Sequence, residues 1–212
     1  MALTLSPEKA LIFRIVHRDN VPWLLDHGIH APQGREFDPH HRNIGNLDLI
    51  DRRSRRTVVG TNNGTLSDYV PFYFTPFSMM MYNIHTGYSV PRVPNEEIVI
   101  LVSSLRKIAD LGIPFVFTDQ HALLKAANYF TSLEDLARVD WQLLNKKDFR
   151  HDPDDPEKTD RYQAEALVWK HVPLDALVGI CTYTVEGETK VKEELAQRRL
   201  DIKTHISRSW YF

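Results

Sequence analysis

An α+β fold is what this chain predicts. Short runs rich in β-branched and aromatic residues read as strands, the helical stretches between them are brief, and the two do not alternate in the regular order of a parallel sheet. The 212 residues suit one compact domain spanning 1–212, long enough to bury a core without disulfides. An apolar share of 42% and a charged share of 25% are ordinary for a folded protein.

Residues 12–17 alternate enough to form a strand. Asp19 is placed to cap a short helix that has Pro22 in its first turn and Gly28 at its end. Residues 31–66, rich in Gly, Pro, Asn and Arg, are expected to be irregular. Tyr69 to Phe74 is strand-like, and its internal Pro71 predicts an edge or a bulge. Ser78 to His85 reads as a short helix, 97–102 as a strand and 103–111 as a helix stopped by Gly112. A strand at 114–118 and a short helix at 132–139 follow. Residues 145–162 form a polar stretch with two Asp-Pro steps, expected to be one long loop. Such a loop inside a compact domain is usually functional or disordered. A strand at 177–184, a charged helix at about 188–199 and a strand-like tail complete the chain.

The net charge of −2 argues against a bulk nucleic-acid binder. The charge is uneven, however. Arg52, Arg53, Arg55 and Arg56 cluster, and Lys146, Lys147 and Arg150 precede the acidic group Asp152, Asp154, Asp155 and Glu157. A locally basic groove that holds a nucleic acid briefly is compatible with this pattern. The single cysteine, Cys181, lies in an apolar run and reads as a core thiol rather than a nucleophile, which fits a reducing cytoplasm. Neither a signal peptide nor a membrane span is legible.

The common nucleotide signatures are missing: no Gly-x-Gly-x-x-Gly follows a strand, and Gly60-Thr-Asn-Asn-Gly64 lacks the lysine of a P-loop. Neither His-Glu-x-x-His nor Cys-x-x-Cys is present, and the adjacent His40 and His41 suit a solvated pair better than a metal site. No metal is expected.

Four segments together resemble the DarT family of DNA ADP-ribosyltransferases. They are Phe13-Arg-Ile-Val-His-Arg-Asp-Asn20, the arginine cluster leading into Gly64-Thr-Leu-Ser-Asp-Tyr-Val-Pro-Phe-Tyr-Phe-Thr-Pro-Phe-Ser-Met-Met80, Val116-Phe-Thr-Asp-Gln-His-Ala122, and Gln163-Ala-Glu-Ala-Leu-Val168. Each is weak alone, but their order and spacing span about residues 11–185. Phe77 departs from the family pattern, where a smaller or basic residue is expected. The resemblance implies an ADP-ribosyltransferase-like fold with a split, twisted β core, an NAD⁺ cleft and a mobile acceptor-binding loop, which here would be 145–162. It also implies single-stranded DNA as substrate and a macrodomain antitoxin of the DarG kind as partner.

The resemblance assigns Glu165 as the catalytic carboxylate and Arg53 as the catalytic arginine, with Arg52 as the alternative. A carboxylate that accepts from the ribose 2′-OH stabilises the oxocarbenium-like charge built when nicotinamide leaves. An arginine can neutralise pyrophosphate and orient the acceptor base through its fork of donors. Ile15, Val16, His17, Asn20, Arg53 and Tyr73 are the candidate NAD⁺ contacts. His17 would hydrogen-bond a ribose and Tyr73 would stack on nicotinamide. Without the resemblance, His17 reads as a satisfied half-buried histidine, Tyr73 as core, and Glu165 as a surface glutamate in a helix-like run. His121, Lys146, Lys147, Phe149 and Arg150 are the candidate DNA contacts.

The expected activity is transfer of ADP-ribose from NAD⁺ to a base of single-stranded DNA, thymine favoured, by a toxin. Guanine, an RNA or protein acceptor, and a non-enzymatic nucleic-acid-binding module are the alternatives.

Overall fold

The computed structural model describes residues 3–34, 36–59 and 64–212. The glycine-bearing run 60–63 lies outside them.

Among the described residues the strands are β1 (Leu11–His17), β2 (Ile29–His30), β3 (Tyr69–Tyr73), β4 (Ile98–Ser104), β5 (Phe115–Thr118), β6 (Tyr129–Phe130), β7 (Glu165–Trp169), β8 (His171–Val172), β9 (Gly179–Thr182) and β10 (Thr204–Ile206). The helices are α1 (Val21–His27), α2 (Leu47–Arg55), α3 (Met79–Thr86), α4 (Leu105–Asp110), α5 (Trp141–Lys146), α6 (Lys158–Arg161) and α7 (Val185–Gln197). Eight strands make one sheet in the order β10-β9-β4-β1-β3-β7-β5-β6, while β2 and β8 pair separately. The α+β expectation holds, since helices and strands follow one another without a repeating unit.

The sheet is two half-sheets joined at a seam. β1 pairs with β4 along its whole length, from Leu11 opposite Ser104 to His17 opposite Ile98. β3 pairs with β7 from Tyr69 opposite Trp169 to Tyr73 opposite Glu165. Between β1 and β3 only Phe13 and Tyr73 are paired. The next position of that register would set Ile15 against Pro71, which has no N–H to donate. The Pro71 carbonyl instead accepts a 2.9 Å hydrogen bond from Arg14 Nη1. Pro71 therefore sits neither on an outer edge nor at a bulge, as its sequence context suggests, but at an internal edge where the sheet parts.

Every residue of β4 is buried, as its Ile-Val-Ile-Leu-Val run requires of a strand covered on both faces. At the end of α1, Gly28 has φ +78°, and a Cβ there would lie 2.4 Å from His171 Nε2, so the contact between α1 and β8 needs glycine. Asp19 does not cap α1. The residues 18–20 form a 3₁₀ turn capped by the His17 side chain, and Asn20, at the N-cap position of α1, uses its own side chain elsewhere.

Three regions differ from expectation. The stretch 31–66 contains α2, capped by Asn46 Oδ1 accepting from Leu49 N–H. No residue of α2 is fully buried, and its Asp- and Arg-rich composition matches the polar stretch around it. The Gln-Ala-Glu-Ala run opens β7 rather than a helix. The polar stretch 145–162 is shorter as a loop than expected, because α5 reaches Lys146 and α6 begins at Lys158. What remains is tied down. Lys158 and Arg150 both pair with Asp148, Arg161 pairs with Asp155, and Thr159 Oγ1 donates to the Phe149 carbonyl. Phe149 packs among Phe77, Tyr82, Tyr162 and Phe212. Phe77, the residue that departs from the family pattern, stacks on Phe212 at 3.9 Å between centroids.

Candidate active site

The seam between the half-sheets opens into a cleft. Its floor is Arg14, Ile15 and Val16 of β1 with Pro71 and Tyr73 of β3. One wall is the 41–46 segment running into Leu49, Ile50 and Arg53 of α2. Glu165, His121 and Leu123 close one end, and Met80 of α3 lies beside Tyr73.

Glu165 is the first residue of β7 and only 3% exposed. Thr118 at the end of β5 holds it in place, its hydroxyl accepting from Glu165 N–H (3.1 Å) and donating to the Gln120 carbonyl (2.6 Å). Of the carboxylate oxygens, Oε2 accepts from Arg53 Nη1 at 2.8 Å and Oε1 from Ala122 N–H at 3.2 Å. Burial pushes the carboxyl toward its neutral form, but the Arg53 charge, helped by His121 and by these two hydrogen bonds, outweighs it and holds the pKa below its ordinary value. Glu165 is thus an anion in a dry site.

α2 delivers Arg53. Leu49, Ile50 and Arg53 share its inner face at helical spacing, and Arg53 Nη2 is buried without a hydrogen-bond partner among the described residues. Arg52 is exposed, and it is Arg53 that pairs with Glu165.

Arg14 is a second cation in the cleft and was not legible as a site residue. Its Nε is buried without a partner among the described residues, and burial pulls its pKa down to about 10, with Tyr73 opposing and Arg53 adding to the shift. A guanidinium in the middle of an otherwise apolar strand was the available signal, since a buried cation calls for an anion. Tyr73 stands across the ladder from Glu165, and its hydroxyl donates to Met80 Sδ at 3.3 Å. Burial, and then the Glu165 carboxylate, push its pKa up to about 12.

Asn20 exchanges two hydrogen bonds with the backbone of Arg42, at 2.8 and 3.0 Å, and so pins the 41–46 wall to the end of β1. His17 is fully buried and does not line the cleft. Its Nε2 faces Glu97 Oε2 at 3.0 Å and its Nδ1 accepts from Asp19 N–H, so a hydrogen bond to a ribose would require one of these to exchange. His41, Arg42, Asn43, Ile44, Gly45 and Asn46 complete the wall, and the irregular reading of 31–66 hid them.

Among the candidate DNA contacts, His121 lies in the cleft, its ring accepting from Leu123 N–H. Lys146, Lys147, Phe149 and Arg150 do not line it. Lys146 borders a pocket ringed by Asp140, Asp148, Asp152 and Asp155, Lys147 donates to the Ser209 carbonyl, and Phe149 is packed in its aromatic cluster. Cys181 is buried in β9, and burial pushes its thiol up to about 12. Among the described residues no group of three or more His, Cys, Asp or Glu is placed to hold a metal, and no helix is long and apolar enough to cross a membrane.

The architecture and the sequence both match known proteins. The family model described as "ssDNA thymidine ADP-ribosyltransferase, DarT" matches residues 13–212. A DNA ADP-ribosyl transferase of Escherichia coli O127:H6 is 52% identical over 99% of this chain and 96% of its own length. The structure of Thermus sp. 2.9 DarT in complex with ADP-ribosylated ssDNA superposes with a TM-score of 0.91 at 33% identity, covering 100% of both chains. The same Thermus protein in complex with NAD⁺ gives a TM-score of 0.86, covering 97% of this chain and 99% of that one. The seam-and-cleft architecture is therefore the DarT ADP-ribosyltransferase fold, and the chain belongs to the DarT family of single-stranded-DNA thymidine ADP-ribosyltransferases.

Proposed function

We propose that this chain transfers ADP-ribose from NAD⁺ to thymine in single-stranded DNA, with the whole of 1–212 acting as one catalytic unit. The observation that carries the reading is the ionised Glu165 held by Arg53 inside a cleft that also contains the unpartnered Arg14 Nε. Among the described residues, the charged side chains lining the cleft are Arg14, Arg42 and Arg53, which are positive, and Glu165, which is negative; this suits a donor whose pyrophosphate is anionic.

Glu165 accepts from the ribose 2′-OH and stabilises the positive charge that grows on the sugar as the bond to nicotinamide breaks. Arg53 neutralises and orients, its free Nη2 available to a pyrophosphate oxygen or to the acceptor base. Arg14 holds a phosphate of the donor. Ile15 and Val16 offer backbone groups along the floor, Tyr73 stacks on nicotinamide, and Asn20 fixes the wall that closes over the donor. His17 sets the turn from which Asn20 projects. His121 meets the acceptor base from the far side of Glu165. No metal takes part.

A base edge is reachable only outside the stack, and extruding a paired base costs a few kcal/mol, so a single strand is the preferred substrate. Such an enzyme damages its own host's DNA. It therefore works as a toxin in the cytoplasm beside a macrodomain antitoxin of the DarG kind that removes the modification.

Labelled NAD⁺ incubated with oligonucleotides of single-base composition tests the reading. Label on thymine-containing single strands, suppressed by annealing the complement, is the expected result. Label on guanine only, or equal label on duplex, overturns it.

A further inference from the structure

Glu165 Oε1 takes its hydrogen bond from Ala122 N–H, in the irregular turn 119–128 that joins β5 to β6. That turn is fixed plane by plane. The Gln120 carbonyl accepts from Thr118 Oγ1 at 2.6 Å, and His121 N–H donates to the Asp160 carbonyl at 3.0 Å. The His121 carbonyl accepts from Leu124 N–H at 3.0 Å, and Leu123 N–H donates to His121 Nδ1 at 3.2 Å. The Ala122 carbonyl accepts from Tyr129 Oη at 2.6 Å. The peptide planes from Gln120 to Leu123 are therefore each held at both ends, the middle one by Glu165 itself.

Two side chains from outside the turn hold its carbonyls. Tyr129 comes from β6, where it pairs with Thr118, the residue whose hydroxyl accepts from Glu165 N–H. Its ring packs against a small buried cluster of Val58, Leu66, Tyr69, Val116, Ala122 and Leu167. Burial pushes the phenol pKa up, with Arg56 beside it opposing the shift, so the hydroxyl keeps its proton and donates. Arg56 lies three residues after Arg53, and its carbonyl accepts from Leu66 N–H at 2.9 Å. Its Nη2 donates to the Leu124 carbonyl at 2.9 Å, and its Nε is buried without a partner among the described residues. Neither Tyr129 nor Arg56 lines the cleft.

We infer that Tyr129 and Arg56 are positioning residues of the transfer reaction: through the Ala122 and Leu124 carbonyls they keep Ala122 N–H on Glu165 Oε1, and so keep Oε2 turned toward Arg53. The inference rests on the proposed role of Glu165. A carboxylate tethered through one oxygen does not swing as charge grows on the sugar, and a donor already in place costs no reorganisation at that moment. The Ala122 methyl is fully buried in the cluster below, so the turn rests on a packed base while the two side chains set its orientation.

Tyr129→Phe tests it, because the ring keeps its packing and only the hydroxyl is lost. The kcat for transfer should fall about fivefold or more, with KM for NAD⁺ little changed. The acid limb of kcat/KM should move upward, since the Ala122 hydrogen bond is one of the influences that lower the Glu165 carboxyl. By NMR, the Ala122 amide should exchange with solvent about fivefold faster or more, while the amides of β7 keep their rates. An unchanged kcat together with unchanged Ala122 exchange overturns the inference. So does a fall in kcat with a fixed acid limb and faster exchange throughout β7, which would mark a purely structural role. Arg56→Lys, which keeps one donor, should lose less kcat than Arg56→Ala, and equal losses remove Arg56 from the assignment. The exchange measurement needs no turnover, so a wild-type protein that labels no DNA fails the proposed reaction and leaves the hold on Glu165 to be judged by Ala122.

Discussion

Arg53 Nη1 donates a 2.8 Å hydrogen bond to Glu165 Oε2 across 112 positions of sequence. The contact joins an exposed helix to the first residue of a buried strand, so the two groups meet only once the seam has formed. Breaking one partner of such a pair leaves the other charge buried, which is more damaging than never having had the pair.

Glu165→Gln is expected to abolish transfer, by at least about a thousandfold in kcat if electrostatic stabilisation dominates. The amide keeps an acceptor for Ala122 N–H but has no charge to offer the ribose. NAD⁺ affinity, measured by calorimetry, should stay within a modest factor, because the interaction matters chiefly in the transition state. Glu157→Ala, in the acidic loop, should label DNA like wild type.

The pH profile should follow the same pair. Because the Glu165 pKa is depressed in the folded protein, its ionised form adds stability above the ordinary carboxylate value of 4.5, and that contribution is lost as pH falls through the lower, folded value. The acid limb of kcat/KM assigned to Glu165 should therefore lie below pH 4.5. Arg53→Gln removes the largest influence opposing burial and leaves only His121 and the Ala122 N–H to oppose it, so the limb should move upward. Arg53→Lys should leave it nearly in place while cutting transfer at least about tenfold, since a point charge replaces the fork. An acid limb that ignores both substitutions would assign it to another group.

Asn20→Ala should raise KM for NAD⁺ with little change in kcat. It removes both hydrogen bonds that pin Arg42, and with them the anchor of the cleft wall. A stability loss of about 1–3 kcal/mol is expected from the groups left unsatisfied, measured by urea denaturation.

Phe149→Ala should lower stability by about 2–3 kcal/mol, somewhat below the full cost of a buried aromatic because the ring is only half-buried. The loop before Glu165 should then become a preferred site of protease cleavage.

Cys181 should react with a thiol reagent only as fast as the protein unfolds, its thiolate being disfavoured by burial. Rapid labelling of the native protein would contradict its place in β9.

The sequence made the strands legible where both faces are covered, as in β4, because an apolar β-branched run has few other uses. Glu165 and Arg53 were legible only through resemblance. A glutamate between two alanines carries no signature of its own, and one arginine among four in a cluster does not reveal which faces inward. α2 escaped because its nine residues are mostly Asp, Arg and Ser and lie inside a stretch rich in Gly, Pro and Asn, so composition spoke for an irregular segment although Leu49, Ile50 and Arg53 recur on one face. Arg14 escaped for the opposite reason, since its strand reads as core and a single cation there passes for an exception.

Pro71 carries a consequence beyond topology. Pairing between strands spreads by zipping, one amide after another, and a sheet with a continuous supply of amides closes on itself. The missing N–H at Pro71 interrupts that spread in the middle of the sheet and keeps a slot that small molecules can enter. Refilling it with a residue such as valine would give the zipper its missing tooth. The chain that resulted would be firmer, and on the proposed reading it would have closed the gap in which the donor is to bind.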